Sequence, residues 1–373
     1  MQIDVFNEFN EKLKSLWVYF DNISNSLPFH SFEWQKYWNE RVGQPKYKMS
    51  ICIVVCTIDN KIRAIFPFGI RKDFCARILE FLGAEEADYS APLIASDMSS
   101  IEFTDIWTEV LKSVPAHDIV HFRNLSKSIL DRENLLLENI TAKEIGKSYS
   151  ATLPETFEAY TQRLSRSMVK DNRRMERRLK EKGKLKFVIL ENENEFNKVL
   201  KTMVSQKEAR YSISGARNIF INESVKNFYT KIYILFSRGF KIHLSALILD
   251  EEVLATHLGI HYKDQFYYLM PTYNHDEKWK KFSLGRIHLE KLVHWSIEDG
   301  VKKFDFTIGG ESYKKIWCDD EMPIYRHFQL KSIRGIMFFI NFQLIEFIKS
   351  IPILKVICLK ILSFRYNSSI NKK

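Results

Sequence analysis

The sequence predicts an α/β (α+β) chain of two tandem lobes, each a mixed, largely antiparallel sheet flanked by helices, with a helical tail. Three observations predict it. The chain has 373 residues, room for two domains at roughly 150 residues each. Its second half reads strand, helix, helix, three strands, helix, strand, helix, strand. Its first half repeats a looser version of that order, without sequence identity. These readings divide the chain into lobes at 1–150 and 151–333 and a tail at 334–373.

The second half is the clearer one. Residues 184–191 (KLKFVILE) read as a short strand. Two helices follow at 195–211 and 224–238, the second closed by Gly239. Residues 241–250, 253–262 and 265–273 are three β-rich runs joined by tight polar turns, an antiparallel meander. Ser283 stands as N-cap of the next helix, which Gly300 ends. A strand at 303–308, a short helix at 312–318 and a last strand at 324–330 complete the lobe. In the first half, 32–42 reads as an aromatic helix. Residues 51–57 and 62–70 form a hairpin around Asp59-Asn60, and 78–82 and 92–95 are short strands. Residues 101–111 form a helix before a strand at 118–122. The lobes meet near 148–154.

Composition is that of a globular protein, 45% apolar and 27% charged, which argues against disorder. Twenty-eight phenylalanines imply a ring-rich core. The five cysteines are odd in number and contain no Cys-x-x-Cys pair, which disfavours a disulfide framework and a structural zinc site. Residues 1–17 carry acids and no apolar core of a secretory signal, so a reducing, cytoplasmic setting is expected. The net charge of +10 is concentrated. Residues 163–186 hold eleven basic and three acidic residues, and 331–373 hold eight and one, so the remainder is mildly acidic. A general nucleic-acid binder would spread its basic residues over a binding face.

The residues of the second half resemble a known family. The strings Val253-Leu254-Ala255-Thr256-His257-Leu258-Gly259, Phe282-Ser283-Leu284-Gly285-Arg286 and 304–314 (FDFTIGGESYK), in this element order, are similar to the GNAT acetyltransferase fold. They are closest to its FemAB-like branch, associated with bacterial polysaccharide or cellulose synthesis. The resemblance covers about residues 29–330, weakly in the first half. It implies two tandem acetyltransferase-like lobes with acetyl-CoA, or another acyl-CoA, as cosubstrate in the second, and no metal. The phosphate loop departs from the wider superfamily, because only Gly285 is present and Arg286 and Ile287 follow it. FemAB-type relatives use aminoacyl-tRNA, so the resemblance leaves the donor open.

Acyl transfer from a thioester to an amine requires an amine that loses a proton, a stabilised carbonyl oxygen and a protonated leaving thiolate. Ser283, Leu284, Gly285 and Arg286 open a helix, where free N–H groups suit a diphosphate. Otherwise they are an ordinary helix start. Tyr313 resembles by position the tyrosine that protonates the thiolate in this superfamily. Glu311 and Asp305 are candidates to orient the amine or accept its proton, or they form salt bridges with Lys314 or Arg286. Asp305 should point away from the rings of Phe304 and Phe306 by strand alternation. His257 lies on a strand among small neighbours and could act as base. Tyr273, with His275, closes the next strand near the same edge and is a weaker candidate.

The 163–182 helix should dock through Leu164, Met168, Met175 and Leu179. Its other side presents Arg166, Lys170, Arg173, Arg174 and Arg177, either a solvated face or an anion site for a phosphorylated acceptor. With Lys314, Tyr273 and this face, the acceptor expected is an amino-sugar, small or lipid-linked, destined for surface polysaccharide. The tail run 335–345 carries no charge but is too short to cross a bilayer, which needs about 20 residues. A basic, apolar tail can lie on an anionic membrane, giving a cytoplasmic or inner-face peripheral protein. It can equally pack on the body or form a dimer. Two rivals remain: an aminoacyl-tRNA-dependent transferase acting on a peptidoglycan precursor, in which tRNA is the sole nucleic-acid partner, and a non-catalytic, membrane-tethered binding module.

Overall fold

The computed structural model describes residues 1–351 apart from 25, 84, 131, 239 and 240. The expectations placed on Gly239 and on the tail beyond 351 lie outside the described residues.

In chain order the first half contains β1 (Gln2–Phe6), α1 (Glu11–Ile23), α2 (Phe32–Trp38) and α3 (Gln44–Tyr47). The long hairpin β2 (Ser50–Ile58) and β3 (Lys61–Asp73) follows, then β4 (Ala76–Phe81), β5 (Leu93–Ile94), α4 (Ser100–Ser113) and β6 (Ile119–Ser126). Next come the small pair β7 (Ser128–Ile129) and β8 (Arg132–Glu133), and then β9 (Ala142–Thr152). The second half contains α5 (Phe157–Thr161), α6 (Arg166–Lys180), β10 (Leu185–Ile189), α7 (Glu193–Ser214) and α8 (Glu223–Thr230). The meander is β11 (Ile242–Leu249), β12 (Glu252–Tyr262) and β13 (Gln265–Tyr273). It is followed by α9 (Leu284–Glu298), β14 (Lys303–Ile308), α10 (Lys314–Trp317), β15 (Asp320–Leu330) and α11 (Ile333–Ser350).

The hairpin turn is where the sequence placed it. Asp59 and Asn60 both take positive φ, 50° and 59°, the geometry of a two-residue turn that matches strand twist. The expected helix at 32–42 shortens to α2, and 39–43 widens into a π turn. The expected helix at 224–238 is α8 followed by a 3₁₀ stretch, 232–238.

The two lobes share one sheet. Among the described residues its strands run β1-β2-β3-β4-β6-β15-β9-β14-β13-β12-β11-β10, with β5 on β3. The expected boundary at 150/151 falls inside β9. That strand lies between β14 and β15 and pairs antiparallel with both. β15, the last strand of the second half, pairs in turn with β6 of the first. Each half thus lends a strand to the seam.

Rings fill the space between the halves. Phe29 meets Tyr267 edge-on at 5.7 Å, and Trp34 meets Phe228 at 5.4 Å. The buried Tyr37 hydroxyl donates to the Phe228 carbonyl at 2.7 Å. One apolar core therefore runs from α1 and α2 through β13 to α7 and α8, while α9 covers the opposite sheet face with Leu289, Leu292 and Val293.

α11 docks on the first lobe. Ser332 caps it, its hydroxyl accepting from Gly335 N at 3.3 Å and donating to Asp118 at 2.8 Å. Phe338, Phe339 and Phe342 pack beside Phe328 and Ile119. Gly335 is required by close approach, because a Cβ there would collide with the Asp118 carbonyl oxygen. Gly335→Ala should cost about 1–3 kcal/mol through overpacking, seen as a lower unfolding midpoint and faster proteolytic removal of α11.

Candidate active site

The site begins where two parallel strands part. β13 pairs with β14 at Gln265–Lys303, Phe266–Phe304 and Tyr267–Asp305, and the pairing stops there. Each strand contributes a local cause. On β13 the register against β12 slips between Leu258 and Gly259, which makes Leu269 an extra, bulged residue. The bulge reverses the faces beyond it. Tyr268 stacks on His257 on the side covered by α9. Thr272 instead reaches Gln206 of α7, at 2.6 Å, on the other side. On β14, Thr307 adopts φ +58° and its N–H donates to the Asp305 carboxylate at 2.7 Å. A β-branched residue in that region is strained by about 1–3 kcal/mol and is held there by its surroundings. The bulge and the kink end the backbone ladder after Tyr267 and Asp305, and the slot they leave between Tyr268 and Thr307 is bridged by the Thr307 hydroxyl, which donates to the Tyr268 carbonyl at 3.4 Å.

The short turn after β14 forms one lip of the slot. Tyr313 shares a hydrogen bond with Tyr268. Burial, and then the charge of Glu311, push its phenol well above the ordinary value, so the hydroxyl keeps its proton. Lys314 is buried at 3% exposure. Its ammonium donates to the Ile308 carbonyl at 2.9 Å and pairs with Glu311 at 3.2 Å. A side chain at Gly309 would collide with the Glu311 carboxylate, so the pair is folded over a glycine. Burial raises the Glu311 carboxyl, but Lys314 and Arg210 outweigh it and hold the group below its usual value.

Residues of the first lobe and of α7 face this strand end and its turn. Tyr89 donates from its hydroxyl to both Asp305 oxygens, at 2.8 and 3.0 Å. Burial pushes the Asp305 carboxyl up to about 6. Asp88, one residue earlier, sits by the Thr307 side chain and within the field of Lys314 and Glu311. Burial pushes it also up to about 6. From α7, Lys207 lies under the influence of Arg210 and Glu311. Burial brings its ammonium down to about 8. The end of β14 and the turn after it therefore gather a proton-holding phenol and a carboxyl that ionises near neutrality, both within the field of Glu311.

Of the residues singled out in the sequence, Tyr313, Glu311, Lys314 and Asp305 are brought together here. Asp305 does point away from Phe304 and Phe306, which pack on the α9 side, while Asp305 binds Tyr89. His257 lies on the α9 side of the sheet. It is fully buried, stacks on Tyr268 at 4.2 Å, and neither ring nitrogen has a partner. Burial holds its pKa well below the ordinary value, so the ring is neutral wall behind the slot.

The start of α9 is built differently from the expected capped helix. Ser283 takes φ +52° and its side chain makes no cap bond. Its carbonyl instead receives Arg286 N at 2.9 Å and Ile287 N at 3.2 Å. Leu284 is buried. A Cβ on Gly285 would stand 3.3 Å from the Tyr273 ring, so Tyr273 walls the helix start and Gly285 leaves it room. The Arg286 guanidinium pairs with Asp171 of α6, which also holds Arg174 at 2.6 Å.

Further links join α6 to α9, including Lys291–Glu176 at 2.9 Å. Met168, Met175 and Leu179 dock as expected. Arg173, Arg174 and Arg177 stay exposed, and Arg177 reaches only Glu181, at 3.8 Å. This cationic face lies beside the start of α9.

The stretch from α6 through β13, α9 and β14 to α10 was then compared with known families. Residues 166–315 match the model described as the acetyltransferase (GNAT) domain. The match spans 150 of the chain's 373 residues. An N-acyltransferase is the enzyme class that this domain denotes. No curated protein sequence matches the chain significantly.

Among solved structures, FemX is similar in fold at 10% identity and TM-score 0.60, over 87% of this chain and 97% of that one. L-PGS from Bacillus licheniformis is similar at 11% identity and TM-score 0.55, over 90% and 98%. A conserved protein of unknown function from Bacteroides thetaiotaomicron aligns at 11% identity and TM-score 0.55, over 88% and 100%. At these identities the likeness is one of fold, and it extends beyond the GNAT domain to nearly the whole chain.

Sequence reasoning missed Asp88, Tyr89, Lys207 and Arg210. Asp88 and Tyr89 lie in a first-lobe loop whose sequence carries no motif. Lys207 and Arg210 read as ordinary surface residues of an amphipathic helix.

Proposed function

We propose that the chain transfers an acyl group, acetyl from acetyl-CoA in the first instance, to an amine presented between the two lobes. The amine belongs to a sugar or sugar-linked precursor of surface polysaccharide, the acceptor class that the FemAB-like resemblance implies. The observation that carries the reading is the parting of β13 and β14 after Tyr267 and Asp305, with Tyr313, Glu311 and Asp88 gathered at the turn that follows.

A pantetheine arm entering the slot takes the place of the Thr307 hydroxyl at the Tyr268 carbonyl and brings the thioester beside Tyr268, and the uncapped start of α9 receives the diphosphate. Asp88 takes the proton from the acceptor ammonium. The amine nitrogen bonds to the carbonyl carbon, the carbon–sulfur bond breaks, the leaving thiolate takes the Tyr313 proton, and the Tyr313 phenolate is reprotonated by the second proton that the nitrogen loses as it becomes an amide. Asp305 and Tyr89 hold the kink at Thr307 that parts the two backbones. Cys318 carries no reaction step, since burial raises its thiol far above the ordinary value.

Calorimetric titration with acetyl-CoA tests the donor, with saturable binding as the expected result. Tyr313→Phe should leave that binding within about twofold and lower kcat by about 10²-fold. Loss of binding instead would give Tyr313 a packing role.

A second reading keeps the fold and changes the donor to aminoacyl-tRNA, with a peptidoglycan precursor as acceptor. The exposed arginines of α6 beside the start of α9 favour it, because they extend the anion site beyond what one diphosphate needs. Under that reading acetyl-CoA gives no heat, and charged tRNA is bound with a steep dependence on salt.

A further inference from the structure

α11 is apolar on two opposite faces, and among the described residues the body covers only one of them. At about 100° per residue, Gly335, Phe338, Phe339 and Phe342 form the docked face described above. Ile333, Met337, Ile340 and Leu344 fall within about 60° of arc on the reverse side. They are 77%, 48%, 61% and 54% exposed. A helix apolar all round is a buried helix, so this second face is made for a partner.

Charge identifies the partner. Lys331 and Arg334, at the start of the stripe, are exposed. The single acid of the tail, Glu346, lies toward the body, 4.0 Å from Arg326. Beyond residue 351 the sequence adds five basic residues (Lys355, Lys360, Arg365, Lys372, Lys373) and no acid among closely spaced Ile, Leu, Val and Phe. A second copy of the chain would bring the same positive charge against itself. Among the described residues no helix is long and apolar enough to cross a membrane, and the stripe runs along one side of a docked helix.

We infer that the outer face of α11, with Lys331 and Arg334, lies in the headgroup region of an anionic lipid surface. The apolar stripe enters the acyl boundary and the cations meet lipid phosphates. The inference stands on α11 alone and is independent of the acyl donor.

The full chain is sedimented with vesicles of phosphatidylcholine alone and with vesicles containing phosphatidylglycerol. The expected result is binding to the anionic vesicles that falls at least about tenfold between low and high salt. Ile340→Glu with Leu344→Glu should lower it by about tenfold or more, with the unfolding midpoint unchanged because both side chains are exposed. Lys331→Gln with Arg334→Gln should lower it by a smaller factor. Equal binding to both vesicle types would overturn the inference. So would no binding to either, accompanied by a dimer in light scattering that the two glutamates dissolve.

Discussion

Asp88→Asn should lower kcat/KM by about 10²–10³-fold and, at the same time, stabilise the protein at neutral pH. The two effects have one cause. Burial pushes the Asp88 carboxyl from 3.8 up to about 6, so the folded state holds this proton more tightly than the unfolded chain does. The stability this contributes is fully present below the ordinary aspartate value and is lost as pH rises through about 6. Above that pH the protein carries a half-buried carboxylate at a cost, and asparagine removes the cost.

A gain of about 1–2 kcal/mol at pH 7.5, absent at pH 4, is expected from chemical denaturation at the two pH values. The wild-type kcat/KM should rise with pH through about 6, and the variant should lack that limb. An aspartate present for structure would show the reverse pattern, with lower stability and unchanged chemistry.

Arg71→Leu should cost about 3–5 kcal/mol, the largest single loss of stability expected in the first lobe. Arg71 donates from Nε to Glu80 at 2.8 Å, and both side chains are buried. Burial already raises the Glu80 carboxyl despite Arg71 and Arg123. Without Arg71, the nearest cation is Arg123 at 3.9 Å.

The same network anchors the loop that carries Asp88. Arg123 continues to Glu85 at 3.6 Å, Lys46 pairs with Glu85 at 2.9 Å, and Trp38 donates to Glu86 at 2.7 Å. The variant should therefore also lose activity. Urea unfolding of Arg71→Leu, Glu80→Leu and the double variant separates the contributions. The double variant should be more stable than Arg71→Leu alone, because it leaves no unpaired buried charge.

The parts legible in the sequence were those whose signal is local. Turn residues marked Asp59-Asn60, apolar runs marked β11 to β13, and the string from Phe304 to Lys314 marked the lip of the slot. β9 was missed because its first half, Ala142 to Lys147, is polar and largely exposed, although it lies between two strands. Its place in the sheet is set by partners about 160 residues later in the chain, which no local pattern carries. The Ser283 cap failed for a related reason: packing of Leu284 and Phe282 into the core sets the backbone there, and the hydroxyl follows. Asp88 and Tyr89 were invisible because their role depends on a lobe-to-lobe contact. The bulge at Leu269 leaves no residue-type signature at all.

The central claim concerns the slot between Tyr268 and Thr307, and a crystal structure of the complex with acetyl-CoA tests it most directly. The account predicts pantetheine density threading between β13 and β14, with the sulfur within hydrogen-bonding reach of the Tyr313 hydroxyl and the diphosphate at Leu284 and Gly285. Density for the cofactor at any other surface, with the two strands closed against each other, would contradict it.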